Sequence, residues 1–280
     1  LALLIACLTL FASALSVQAQ QIASRPLTPQ EINDYNLPEG TITSGGLMVV
    51  GLGEPVYLEV QVPAGTVVSS VTWNVAERPL GGSSAQLVDS PVSAEMPIFS
   101  LAKRAQFEAV GRRMFVPDLE GKYTITADVN TDGGLLNLEA VIAGANYVGV
   151  GIIDGASPAY PQCALCHEEQ SLNYMGTGHA SAFEREIDGS GSMHFRESCI
   201  SCHALGKGPG DQNGSFFHVA EQVGWTFPDS FVPENWTSMD PELKAMANVQ
   251  CEHCHGAGSI HHGDIEGTAV SLSAGDCGQC

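Results

Sequence analysis

The sequence predicts two domains of different classes. Residues 41–150 are expected to form an antiparallel all-β sandwich, and residues 163–280 a mostly α-helical and irregular domain. Short runs of alternating apolar and polar residues, separated by turn residues, occur in the first part. All nine His and eight of the nine Cys lie from Cys163 onward, and residues 20–150 contain neither. Between the two parts, residues 151–162 contain Gly, Pro and Ser and are predicted to be a linker.

Alternation is clearest in three stretches of the first part. VYLEVQV places Val56, Leu58, Val60 and Val62 on one face of a strand, and VTWNV and YTITADV repeat the pattern. The turn sequences PAG, GGSS, PDLEGK and TDGG separate these runs. Short strands at this spacing favour an antiparallel sandwich. We find no catalytic residue pattern in this part, so it is either a spacer or docking module or a domain that merely packs.

The second part contains two legible helix patterns. SMDPELKAMANVQC offers Asp240 as an N-cap and Pro241 at the first helical position, and predicts a helix that runs directly into Cys251. GHASAFEREI predicts a second short helix over residues 178–187. The remainder is rich in Gly, Ser and Pro. With so few apolar residues in register, we expect another group to supply the core.

Three segments share the pattern Cys-x-x-Cys-His, which is the attachment sequence for c-type haem. They are CALCH, CISCH and CEHCH, referred to below as motifs 1, 2 and 3. Cysteines three apart lie almost one helical turn from each other, so their sulfurs can form thioethers with the two vinyl groups of one porphyrin. The adjacent His can then bind iron. The predicted thioether residues are Cys163, Cys166, Cys199, Cys202, Cys251 and Cys254, and the proximal ligands are His167, His203 and His255.

Zinc sites and disulfides also use Cys-x-x-Cys pairs. A structural zinc site closes with four ligands, however, and does not require a His after the second Cys each time. A Cys-x-x-Cys disulfide is usually a reactive redox pair rather than a structural cross-link. Three copies with the adjacent His favour covalent haem.

The sequence GDCGQC contains a fourth pair with the same spacing, Cys277 and Cys280. We expect these residues to be thioether ligands of a fourth haem whose His would follow Cys280, in a domain truncated at its C-terminus. The alternative is a true C-terminus with a free dithiol or a disulfide. A group of haems would supply the apolar mass that the polypeptide lacks.

A low-spin electron carrier also needs a second axial ligand on each iron. Met could serve and would raise the potential, but the abundance of His favours bis-His ligation. His253 lies between the cysteines of motif 3 and is expected to be an exposed variable position. Apart from the three proximal ligands, the sequence contains six histidines: His179, His194, His218, His253, His261 and His262.

Four stretches of residues 160–280 resemble multihaem cytochromes c related to cytochrome c-554 and hydroxylamine oxidoreductase. These stretches are GTGHASAF, MHFRESCISCHALG, GWTFPDSFVPENW and ANVQCEHCHGAGSIHH. The resemblance implies a domain built around stacked haems, with His179, His194 and His261 as distal ligands. His262 could take the place of His261, whereas no ligand is expected at His218.

The stretch FVPDLEGKYTITADV resembles the late strands of an immunoglobulin-like or PKD-like domain. This resemblance covers residues 41–150. It implies an immunoglobulin-like sandwich in which the Asp-x-x-Gly-x-Tyr turn places Tyr123 as a corner tyrosine.

The first residues, LALLIACLTLFASALSVQAQ, are typical of an export signal. We predict a cleaved signal peptide over residues 1–19, a linker over residues 20–40, and a periplasmic or extracellular location without a stable membrane span. The absence of a starting Met and of basic residues before the apolar run suggests that the N-terminus is clipped. A membrane anchor and a lipoprotein site at Cys7 are the alternatives.

The formal net charge of −20 argues against nucleic-acid binding, which needs clustered Lys and Arg. We expect redox proteins as partners, with no bound nucleic acid. The leading hypothesis is an electron carrier with covalent haem c. One alternative is a multihaem oxidoreductase that acts on a small nitrogen or sulfur compound, with its catalytic haem in the missing C-terminal part. The other is a surface assembly in which the β-domain docks the haems to a partner.

Overall fold

The computed structural model describes residues 20–93, 107–151 and 163–261, apart from residues 39, 193, 209 and 211. Strands dominate up to residue 145, and the region from residue 163 is helical and irregular, in agreement with the predicted classes. The predicted signal with Cys7, most of the predicted linker 151–162, and the pair Cys277 and Cys280 lie outside the described residues. No helix in the described part is long and apolar enough to cross a membrane.

Two four-stranded sheets form the sandwich within the described residues. In chain order the strands are β1 (Gln21–Ser24), β2 (Val49–Gly51), β3 (Val56–Pro63), β4 (Val68–Glu77), β5 (Leu87–Asp89), β6 (Phe107–Phe115), β7 (Gly121–Thr131) and β8 (Gly134–Ala145). One sheet has the order β1-β3-β6-β5 and the other the order β2-β8-β7-β4. Neighbouring strands are antiparallel, except that β2 runs parallel to β8.

Strand β7 shows how the alternating pattern builds the core of the sandwich. Tyr123, Ile125, Ala127 and Val129 are all completely buried. They belong to one apolar cluster with residues of β3 in the other sheet. Burial of a large apolar side chain stabilises the fold by about 1.5–3 kcal/mol, so this inner face holds the two sheets together.

Tyr123 also fixes the turn before β7. Its hydroxyl accepts a hydrogen bond from the Leu119 N–H at 2.8 Å and lies 2.9 Å from the Leu119 carbonyl oxygen. Its ring packs edge-on against Phe115, with ring centroids 5.0 Å apart. The Asp-x-x-Gly-x-Tyr turn therefore folds back onto its own tyrosine.

Residues 20–40 do not form the predicted linker. Strand β1 pairs with β3, and helix α1 (Pro29–Asp34) begins at a capping box formed by Thr28 and Glu31. Thr28 and Glu31 each bond the backbone N–H of the other, which satisfies two donors at the start of the helix. This segment is part of the sandwich.

Buried ion pairs explain why a polar segment packs there. Glu59, on the outer face of β3, is 1% exposed and bonds Arg25 at 2.9 Å. Glu31 pairs with Arg25 at 2.8 Å and with Arg112 at 3.2 Å. Because each buried charge has a partner, the alternating strand can be covered on both faces.

The helical region consists of short elements. They are α2 (Cys163–Cys166), α3 (Glu168–Met175), α4 (Ala182–Ile187), α5 (Ile200–His203), α6 (Phe216–Val223), α7 (Glu234–Ser238), α8 (Pro241–Met246) and α9 (Cys251–His255), with 3₁₀ turns at Gly178–Ser181 and Glu197–Cys199. Asp240 caps α8, as predicted, by accepting a bond from the Glu242 N–H at 2.9 Å. The helix does not run into Cys251: Ala247 is already extended, with φ of −81° and ψ of 168°, Asn248 is left-handed with φ of 71°, and α9 starts anew.

This region has a protein core of its own, contrary to the sequence-based expectation. The ring of Phe183 lies 5.0 Å from that of Phe216, 5.8 Å from Phe195 and 6.3 Å from Trp225, measured between centroids. Ile187, Ile200 and Leu243 complete the buried cluster, together with other apolar side chains. The cluster combines the apolar faces of short helices, such as Phe183 and Ile187 of α4, with single residues from other segments, so each periodic pattern is too short to stand out in the sequence.

Polar contacts join the sandwich to the helical region. Glu54, 2% exposed, accepts hydrogen bonds from the Tyr147 hydroxyl at 2.8 Å and from the Lys207 N–H at 3.0 Å. The Tyr147 N–H donates to the Asn213 carbonyl at 2.7 Å. Burial raises the pKa of Glu54, although the Lys207 charge and its hydrogen bonds oppose the shift.

Candidate functional site

Each complete Cys-x-x-Cys-His motif lies on about one turn of helix, as predicted. Motifs 1, 2 and 3 coincide with α2, α5 and α9, and His167 follows α2 directly as the N-cap of α3. The six described cysteines form no disulfides with one another. Within the described ranges, no group of three or more His, Cys, Asp or Glu side chains is arranged as metal ligands.

Motifs 1 and 3 lie side by side. The Cys163 thiol is hydrogen-bonded to the Cys251 sulfur, and this bond, with burial, raises the pKa of Cys163. The same bond lowers the pKa of Cys251 to about 7. Cys163 Sγ is also 3.4 Å from the Gly149 carbonyl oxygen. Residues 88 positions apart in the chain, 251 − 163, are thus neighbours in space.

Three of the predicted haem ligands meet at this place. The imidazole rings of His167 and His261 have centroids 6.2 Å apart and planes within 14° of each other. His255 is close to both: burial first, and then the charges of His167 and His261, lower its pKa. The proximal histidines of motifs 1 and 3 therefore share a site with the predicted distal ligand His261.

Motif 2 is connected to motif 3 through the segment before α9. Ala204, next to His203, forms an antiparallel bridge with Ala247, and the Leu205 N–H donates to the Met246 carbonyl at 2.9 Å. The buried Nδ1 of His203 has no hydrogen-bond partner among the described residues. An orphaned buried nitrogen of this kind needs a partner outside the described residues, such as an ordered water or an ion.

His253 is not the exposed variable residue that the sequence suggested. Its ring is partly buried. Nδ1 accepts a bond from the Gln250 N–H at 3.0 Å, and Nε2 lies 3.1 Å from the Ala204 carbonyl oxygen, to which it donates. Burial, with the nearby Lys207 charge, lowers the pKa of His253 to about 3, so the ring is neutral. His253 thereby connects α9 to the end of motif 2.

Glu252, the other variable residue of motif 3, is a buried carboxylate that sequence reasoning missed. It is 4% exposed. It accepts bonds from the Val148 N–H at 3.1 Å, the Gly149 N–H at 2.8 Å and the Gly258 N–H at 2.7 Å. Burial raises its pKa to about 7, although these backbone donors oppose the shift. The only signal in the sequence was an acidic residue inside the motif.

The remaining candidate histidines differ in their surroundings. His179 is exposed on the 3₁₀ turn, and its carbonyl accepts a bond from the Val249 N–H at 3.2 Å. His194 is exposed as well. His218 is bonded at both ring nitrogens, to the Gly214 N–H at 3.0 Å and to the Gln222 amide at 2.9 Å. His262 lies outside the described residues.

Asn248 holds the segment that carries His179 against α9. Its side-chain oxygen accepts bonds from the Phe183 N–H at 2.8 Å and the Glu184 N–H at 3.3 Å, which are donors at the start of α4. The residue is 6% exposed. This contact, with the Val249–His179 bond, brings His179 to motif 3.

Residues 162–224 match the family model described as Cytochrome c554 and c-prime. The match spans motifs 1 and 2 together with His179 and His194. It supports a c-type cytochrome in this part of the chain, with covalently bound haem c and a part in electron transfer. No curated protein matches the chain.

Proposed function

We propose that the protein is an exported multihaem c-type cytochrome that carries electrons along an array of covalently bound haems, each with two His ligands. The observation that carries this proposal is the convergence of three Cys-x-x-Cys-His turns around residues 245–255. Motifs 1 and 3 touch through Cys163 and Cys251, and motif 2 joins them through the Ala204–Ala247 bridge. When bound, haem c supplies reversible one-electron chemistry at iron.

The spacing of two histidines fits one iron of such an array. An imidazole nitrogen binds a metal ion at about 2.0–2.1 Å, so two histidines that would hold the same iron must lie close together. The centroids of His167 and His261 are 6.2 Å apart. We therefore assign His167 and His261 to the same haem, that of motif 1.

His179 is the best candidate for the second ligand of the motif 3 haem. The Val249 N–H holds its backbone carbonyl at 3.2 Å, and its charge contributes to the lowered pKa of His253 in α9. His194 keeps the role of a distal ligand for a haem that we leave unassigned. Both side chains are exposed in the described structure and are free to turn toward iron.

Further parts of the proposal concern the whole chain. We propose that Cys277 and Cys280 hold a fourth haem, that residues 1–19 direct export to the periplasm or beyond, and that the sandwich is immunoglobulin-like. Two four-stranded sheets and the corner contacts of Tyr123 support the last point. The net charge of −20 favours a redox protein over nucleic acid as a partner.

Spectroscopy of single His variants tests the ligand assignment. His261→Ala should turn one haem high-spin, whereas the matched control His218→Ala should leave every haem low-spin, because His218 is bonded within the protein at both nitrogens. The measurement is electron paramagnetic resonance and visible absorption of the oxidised holoprotein. Because His262 could replace His261, the decisive variant is His261→Ala combined with His262→Ala; a fully low-spin spectrum of that variant would overturn the assignment.

A further inference from the structure

We propose that Glu252 is a positioning residue that holds the loop bearing His261 against the end of the sandwich. Through this contact, the β-domain fixes the position of His261, the proposed second ligand of the motif 1 haem. The inference rests on the proposed function, because it needs His261 to be an iron ligand. It goes beyond that function by assigning the β-domain a part in haem coordination.

The carboxylate of Glu252 joins three segments of the chain. One oxygen accepts the Gly258 N–H at 2.7 Å and the Val148 N–H at 3.1 Å. The other accepts the Gly149 N–H at 2.8 Å and lies 3.2 Å from the Val148 nitrogen. Both oxygens are therefore occupied by backbone donors from outside α9, and these hydrogen bonds are strongest when the carboxyl group is ionised.

Gly258 links Glu252 to His261 through its two backbone hydrogen bonds. While its N–H is bonded to Glu252, its carbonyl accepts the His261 N–H at 3.0 Å. A Cβ on residue 258 would lie 3.1 Å from a Glu252 oxygen and 3.3 Å from Val148 Cγ2. Glycine at this position allows the close approach.

A second set of bonds holds the same loop to the sandwich. The Ser259 N–H donates to the Asn146 carbonyl at 3.0 Å, and the Asn146 N–H donates to the Ser259 hydroxyl at 2.8 Å. Ser259 Oγ is also hydrogen-bonded to Glu120, which lies next to the start of β7. Asn146, just after β8, thus bonds both the backbone and the side chain of Ser259 in the turn that leads to His261.

In this arrangement the sandwich positions the loop that bears His261 and is more than a spacer. If the loop were free, binding of His261 to iron would have to overcome the entropy of ordering it. With the loop held by Glu252 and Asn146, the imidazole is placed before ligation. The open, five-coordinate form of the motif 1 haem should then be rare in the wild-type protein.

Glu252→Gln is the main test, because it keeps the size of the side chain but turns one acceptor oxygen into an amide donor that faces N–H groups. We expect the holoprotein to keep its covalent haems while the five-coordinate population of one haem rises at least about tenfold. Added imidazole should restore the low-spin spectrum. The control Glu242→Gln, at an exposed position of α8, should change neither property.

Comparison with His261→Ala separates the two claims. The proposal expects the same haem to respond in both variants, and the double variant to show no more high-spin haem than His261→Ala alone. If His261→Ala is high-spin but Glu252→Gln stays low-spin, the positioning role is wrong and the ligand assignment stands. If His261→Ala stays low-spin even when it is combined with His262→Ala, the proposed ligation itself fails.

Ser259→Ala provides a milder variant should Glu252→Gln fail to fold. It removes the acceptor of the Asn146 N–H without placing a new donor in the buried site. We expect a smaller rise of the same five-coordinate signal. A folded Ser259→Ala protein with wild-type imidazole binding and spectrum would overturn the role of the sandwich.

Discussion

At the scale of single residues, the contacts of its ring nitrogens indicate a structural role for His253. Both nitrogens of His253 are bonded within the protein, to Gln250 and Ala204. We expect His253→Ala to lower the free energy of unfolding by about 1–3 kcal/mol through the loss of these bonds. No haem should become high-spin. Denaturant unfolding and visible spectra of the holoprotein check this, and a new high-spin signal would contradict it.

Glu31 is predicted to make the sandwich sensitive to acid. Burial opposes its ionisation, but the hydrogen bond and charge of Arg25, with the Thr28 N–H and Arg112, outweigh burial and lower the pKa of Glu31. Glu59 is the other acid of this cluster. Because the folded-state pKa is the lower one, the stabilisation is complete above the unfolded-state pKa and is lost as pH falls through the folded-state value.

The measurement is urea unfolding of wild type and Glu31→Gln at neutral and at acidic pH. Gln leaves Arg25 and Arg112 without this buried charge partner, so we expect a loss of roughly 3 kcal/mol or more near neutral pH. The difference should shrink in acid, where the wild-type carboxyl also takes up a proton. A difference independent of pH would show that Glu31 acts only through packing.

At the scale of elements, Asn248 lies in the turn after α8 and caps the start of α4. Its φ of 71° favours Asn or Gly, and its side chain caps α4. Asn248→Gly keeps the conformation but loses the cap, which is expected to destabilise the protein by about 1 kcal/mol. Asn248→Ala should cost about 1–2 kcal/mol more, because Ala disfavours the left-handed region. Equal stability of the two variants in denaturant unfolding would contradict this account.

Elements with a local signal were predictable, and those fixed by distant contacts were not. Neighbouring residues in the sequence are enough to predict the alternation in β7 and the N-cap at Asp240. The interruption at Asn248 was missed, because its left-handed turn is stabilised by α4 about 65 residues earlier. The segment 20–40 is predicted to be a linker because its contacts with Glu59 of β3 and Arg112 of β6 are distant in sequence. The capping box of Thr28 and Glu31 is a local signal that the prediction overlooks.

In the candidate site, too, some features are predicted by local sequence and others depend on distant contacts. The predicted thioether cysteines and proximal histidines rest on the motif spacing alone. The pairing of His167 with His261 needs the three-dimensional contact. Glu252 and His253 occupy positions that the motif leaves free, and their roles depend on backbone groups of Val148, Gly258 and Ala204.

At the scale of the whole molecule, the acidic charge should govern the choice of redox partner. With a net charge of −20, association with a basic electron-transfer protein is steered by long-range attraction. We expect the bimolecular rate constant of electron transfer to fall as ionic strength rises, since the Debye length shrinks from about 30 Å at 0.01 M to about 10 Å at 0.1 M salt. Stopped-flow measurements with a basic and an acidic small redox protein check this, and the acidic one should show the opposite trend.

The most direct test of the central claim is the intact mass of the protein under denaturing conditions, after expression with a c-type haem maturation system. The account predicts a mass above that of the polypeptide by at least three covalent haems, one for each complete motif. Replacing Cys199 and Cys202 with Ser should remove one haem from that count. A denatured mass equal to that of the bare polypeptide would contradict the account. So would native protein that contains bound zinc instead of haem.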